Sequence, residues 1–149
     1  MHGWEAWGEA CVERFRGMFS FALWDRNRET LFLARDRMGV KPMHYALLDD
    51  GSFVFGSEMK SLLAVAAPGV SPDVNTEALQ HYLTLQYVPE PASMHTAITR
   101  IDSGSCFTLR PGEPVRTRRY FRPDFVAKPV PEPDKLYRAF IEPDAMAKW

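Results

Sequence analysis

Between Arg35 and Lys41 the chain places four charges and a glycine, and Pro42 follows directly. Two apolar runs of strand length flank this segment, Thr30-Leu31-Phe32-Leu33-Ala34 before it and Met43-His44-Tyr45-Ala46-Leu47-Leu48 after it. Charges at this density make poor core, because each buried one needs a partner. A rigid strand-to-strand turn is therefore predicted, with its charges satisfied elsewhere. The plain alternative is a hairpin whose ion pairs lie at the surface and contribute little, about 0–1 kcal/mol each.

At 149 residues, with 46% hydrophobic and 25% charged content, the sequence suits one globular domain with a real core. A net charge of −1 gives no reason to expect nucleic acid or a membrane surface as partner. No apolar run approaches the ~20 residues of a membrane span, and the N-terminus carries no secretory pattern. Cys11 and Cys106 make neither a disulfide framework nor a zinc site, so a cytoplasmic location is expected. His2, His44, His81 and His95 have no metal-ligand spacing. Aromatic residues concentrate early and prolines late, which predicts a dense β core followed by extended chain.

Trp4, Trp7, Cys11, Val12 and Phe15 recur at spacings of three and four, which predicts one amphipathic helix over 4–15, ended by Gly17. Residues 18–24 are nearly all apolar and suit a strand covered on both faces. A polar turn over 25–29 leads to a partner strand over 30–34. Residues 43–48 and 52–55 read as a third and fourth strand around Asp49-Asp50-Gly51. Ser57 is placed to cap a helix over 58–65, with Glu58 favoured in its first turn. Residues 4–65 thus read as helix, four antiparallel strands, helix. Asn75 is the expected N-cap of a further helix with Leu79, Tyr82, Leu83 and Leu85 on one side, ended by Val88-Pro89-Glu90-Pro91. Residues 105–110 and 115–121 form a hairpin pattern. Residues 125–133 read as a Pro-rich linker, and 135–141 as the start of another amphipathic segment.

Taken together, Gly17–Asp25, Ala34–Tyr45, Ser57–Leu62, Leu83–Pro91 and Arg119–Phe121 resemble asparagine synthetase of the glutamine-hydrolysing kind. The likeness covers about residues 4–138 and matches the second half of that family's N-terminal class II glutamine amidotransferase domain plus the linker after it. It implies an α+β fold, part of an αββα sandwich of antiparallel sheets with flanking helices. It also implies a partial amidotransferase domain over 4–110, then a linker and the start of a synthetase domain over 111–149. The family makes asparagine from aspartate, using ATP, magnesium and ammonia taken from glutamine. An N-terminal cysteine performs the glutamine attack, with its α-amine as base.

Neither reactive centre transfers to this chain. Position 2 is His2, no Ser-Gly-Gly-x-Asp-Ser loop occurs, and Cys11 falls on the buried side of the first helix pattern. No catalytic, substrate-binding or metal-binding residue is therefore assigned, and no cofactor is expected in this chain. The resemblance implies an ammonia path beside Met18, for which plain core packing is the alternative. It also implies interdomain bracing by Arg35, Asp36, Lys41, Glu58 and Lys60. The expectation is an inactive portion truncated at both ends. The alternatives are a binding or scaffold module working in trans with a separately encoded glutaminase or synthetase piece, or a true start that lies upstream.

Overall fold

The apolar stripe at the N-terminus folds in three pieces in the computed structural model, which describes residues 2–65 and 69–125. They are α1 (His2–Trp7), a 3-10 turn (Gly8–Ala10) and α2 (Cys11–Arg14). Gly8 adopts φ 56°, a left-handed conformation that redirects the chain, so the predicted helix over 4–15 is interrupted. Trp4, Cys11 and Val12 nevertheless reach one cluster, since the short 3-10 turn keeps nearly helical spacing. The helix ends at Arg14, ahead of Gly17, because Phe15 is already extended.

Seven strands follow among the described residues: β1 (Ser20–Asp25), β2 (Thr30–Arg35), β3 (His44–Leu47), β4 (Phe53–Gly56), β5 (Thr99–Arg100), β6 (Ser105–Leu109) and β7 (Arg116–Arg119). The first four do not share one sheet. One sheet has the order β1-β2-β6-β7 and the other β4-β3-β5, with antiparallel pairing throughout. Both edges of β2 are occupied, by β1 (Ala22 opposite Leu33) and by β6 (Leu33 opposite Phe107). β3 therefore has no edge of β2 to join, and the charged segment after Arg35 crosses from one sheet to the other. Two-residue β5 is too short to register as a period in the sequence. β7 carries the first sheet past residue 110, the expected domain boundary.

Alternation along the strands sorts the side chains into layers. Phe32, Ala34 and Cys106 face α1 and α2, where the Trp4 and Phe32 rings lie 4.7 Å apart. Leu33 and Phe107 point the other way and meet Met43 and Ile101 between the sheets, with Tyr45 edge-on to Phe107. On the far side of the second sheet, Leu62 of α3 (Met59–Val65) packs with Ala46, Val70 and Ile98. The result is helix, sheet, sheet, helix: an α+β sandwich without a closed barrel.

Two expected apolar surfaces stay open among the described residues. β1 is an edge strand; Phe21 and Leu23 pack toward the helices, but Trp24 on its other face is 51% exposed. Covering on both faces, predicted for 18–24, fails because the sheet opposite has only three strands. α4 (Thr76–Leu85) is capped as expected, with the Asn75 side chain accepting from the Ala78 N–H. Ala78 is buried, whereas Leu79, Tyr82, Leu83 and Leu85 stand exposed. The expected segment over 135–141, and the linker beyond residue 125, lie outside the described residues.

The layering sets a contrast in mutational cost. Phe32→Ala should lower unfolding stability by about 3–5 kcal/mol through cavity formation, whereas Leu83→Ala should stay within about 0.5 kcal/mol. Urea denaturation at matched concentrations measures both.

Candidate functional site

Arg35 closes β2 and Asp36 opens the crossover, and both are buried, at 4% and 2% exposure. Surface ion pairs, the plain alternative for this turn, are thus ruled out for these two residues. The Arg35 guanidinium donates from Nε to the Lys41 carbonyl (2.8 Å) and from Nη1 to the Ile101 carbonyl and the Glu90 carboxylate (2.6 Å each). Nη2 donates to the Gly39 carbonyl. One side chain therefore holds four backbone segments together, and the charge-assisted bond to Glu90 is among the stronger kinds. The other Glu90 oxygen accepts from the Ser103 N–H at 3.2 Å, and the Tyr120 hydroxyl donates to the Arg35 carbonyl at 2.6 Å. Burial pushes the Tyr120 phenol up to about 12, so it remains a donor.

Asp36 organises the turn itself. Its Oδ1 accepts from the Met38 and Val40 N–H groups (3.2 and 3.0 Å), and its Oδ2 from the Lys41 N–H (3.0 Å). Burial alone would raise this carboxyl, but the donated backbone hydrogen bonds outweigh it and hold the group below its ordinary value. The Asp36 carbonyl also accepts from Gly39 and Gly104. Two glycines are required here. A Cβ on Gly39 would stand 2.9 Å from Arg35 Nη2, and one on Gly104 would stand 2.5 Å from the Phe121 carbonyl, both at positive φ. Arg37 completes the junction by donating to the Phe15 and Glu13 carbonyls and stacking over Phe121.

The remaining expected residues do not join this cluster. Lys41 takes part through its backbone only, and its side chain is exposed. Glu58 and Lys60 are exposed at the start of α3 on the outer side of the second sheet, and Met18 is 62% exposed just before β1. Core packing, the plain alternative for Met18, is therefore not what the structure shows. Glu90 and Tyr120, which complete the junction, escape periodicity analysis. An acidic residue held between Pro89 and Pro91 is the one local signal that a fixed charge was needed there.

No reactive constellation accompanies this junction. Cys11 and Cys106 are both buried and free, and burial pushes both thiols up, away from the nucleophilic thiolate. His44 is buried with Nδ1 donating to the Ser57 carbonyl at 3.1 Å, and burial lowers its pKa, favouring the neutral ring. Among the described residues no three His, Cys, Asp or Glu side chains converge as metal ligands would. No described helix is long and apolar enough to cross a membrane.

Comparison with known proteins gives this architecture a context. The family model described as a glutamine amidotransferase domain matches residues 1–121. A Mycobacterium tuberculosis protein provisionally named as a glutamine-hydrolysing asparagine synthetase is 44% identical, over 86% of this chain and 20% of the relative. Glutamine-hydrolysing asparagine synthetase 1 of Bacillus subtilis is 39% identical, over 87% of this chain and 20% of the relative. Asparagine synthetase 3 of the same organism is 50% identical over 43% of this chain and 10% of the relative. The chain thus spans about 20% of the length of the first of these curated relatives.

Asp36→Asn tests the junction. An amide nitrogen cannot accept, so at least one of the three turn N–H groups loses its partner, at a cost of about 1–3 kcal/mol at neutral pH. The sign of the pH effect follows from a depressed carboxyl. Its stabilisation is present above the unfolded value of about 3.9 and is lost as pH falls through it toward the folded value. Urea midpoints should fall on acidification in the wild type and fall less in Asp36→Asn. Asp25 and Asp50, also held below their ordinary values, leave a residual slope.

Proposed function

Given that this chain belongs to the glutamine amidotransferase domain family, we propose that it is the sheet-and-junction scaffold of an asparagine-synthetase-type amidotransferase and does not itself hydrolyse glutamine. The observation that carries this reading is the state of the two thiols. Both are buried and shifted away from thiolate, and neither has a histidine or α-amine hydrogen-bonded to it. A cysteine amidotransferase needs an accessible, activated sulfur.

In this proposal the chain acts with a catalytic portion not contained in its 149 residues, joined to it or separate. The exposed side chains of Lys41, Glu58 and Lys60 are the ones placed to meet a synthetase surface, while Arg35 and Asp36 brace the junction from within. Met18, exposed ahead of β1, is placed to line an ammonia path in the assembled enzyme. ATP and magnesium would be held by that other portion. The residues described do not fit either group, since the sequence has no phosphate-cradling glycine loop and no acidic cluster forms among them. A cytoplasmic location accords with this role.

Glutamate release from glutamine by the purified chain should stay at background, with asparagine formation equally absent. Adding the portion of a relative that this chain does not match should restore glutaminase activity. Turnover by the chain alone would refute the reading.

A further inference from the structure

We propose that two copies of this chain associate through β1, pairing antiparallel about a twofold axis at Ala22 to make one continuous sheet. The first sheet has two edges of opposite character. At one, β7 presents Arg116, Arg118 and Arg119, with Arg116 and Arg118 tied to Glu9 and Glu13. Such charges blunt an edge against strand addition. At the other, β1 reads Ser-Phe-Ala-Leu-Trp-Asp, with no proline, no basic residue and no bulge in its register against β2. Only the first of these edges is defended.

The backbone alternation specifies which groups await a partner. Asp36 N–H donates to the Phe19 carbonyl, which places Phe19, Phe21, Leu23 and Asp25 in the hydrogen-bonded positions toward β2. The N–H and C=O groups of Ser20, Ala22 and Trp24 therefore face the open edge. A twofold axis at Ala22 sets Ala22 against its own copy and Ser20 against Trp24 of the second copy, so these same groups satisfy one another. Side chains agree with this register. The large Trp24, 51% exposed, meets the small Ser20, and Phe21 meets Leu23 on the helix side. Beside that side of β1 lies an apolar groove of about 540 Å³, lined by Gly3, Trp4, Phe15, Phe21 and Leu23, which the second copy's Phe21 and Leu23 would enter. An axis one residue later would instead oppose Phe21 with Asp25, whose carboxylate already accepts from the Trp4 indole.

Sedimentation analysis of the whole chain over rising concentration should show a monomer–dimer equilibrium. Ala22→Pro removes the N–H that points outward and spares the bonds to β2, so it should abolish the dimer while leaving the circular dichroism spectrum and the thermal transition near wild type. As an independent check, Ala22→Cys should form a disulfide-linked dimer on oxidation. A hydrogen-bonded antiparallel pair sets its Cα atoms about 5.5 Å apart, inside the range a disulfide spans. Ser20→Cys, set opposite Trp24, should not. A chain that stays monomeric, a dimer that survives Ala22→Pro, or cross-linking at position 20 in place of 22 overturns the proposal. Binding of an unrelated strand peptide at β1 in place of a second copy overturns it equally.

Discussion

A buried guanidinium and a buried carboxylate, adjacent in sequence, hold this fold at the place where it changes sheets. Taking such charges from water costs several kcal/mol each unless hydrogen bonds replace hydration. Here they do: Arg35 spends its donors on the Lys41, Gly39 and Ile101 carbonyls and on Glu90, and Asp36 spends its acceptors on the N–H groups of its own turn. The arrangement is specific because no other conformation of residues 35–42 satisfies both groups at once. Removing one partner would strand the other, which is why the junction behaves as a unit.

From that unit the rest of the architecture follows. Once Asp36 folds the turn, β3 departs toward the second sheet, and Leu33 and Met43 lie on the same interlayer core. Arg35 then fastens the returning chain, through Ile101 and Glu90, so that β5 and β6 arrive on opposite sheets in register. Gly104 and Tyr120 close the circuit, the first by permitting contact with Phe121 and the second by bonding the Arg35 carbonyl. The chemistry is that of a positioning device. Its polar atoms face inward, and the two thiols of the chain are sealed away from substrate.

Local pattern made much of this legible. Strand positions fall within a residue or two of expectation, the Asn75 cap is where the residue type predicts it, and the α+β layering agrees with the motifs of the family. What local pattern could not carry was pairing. Nothing in Thr30–Arg35 says that its second neighbour is Ser105–Leu109, so four consecutive strands looked like neighbours. The interruption at Gly8 was invisible because the apolar spacing continues across it. Arg35 and Asp36 read as exposed because charge is the usual mark of surface; their burial depended on Glu90, more than fifty residues on.

The central position of β2 has a consequence for how the chain is made. Its apolar side chains are flanked by β1 almost as soon as both emerge from the ribosome, yet its other flank waits for Ser105–Leu109. Throughout that interval of synthesis Phe32 and Leu33 have half a shelter, and closing so long a loop is slow compared with forming a local hairpin. Nascent polypeptide of this sequence is therefore a substrate for chaperones, and slowing translation between residues 36 and 104 should prolong its dependence on them.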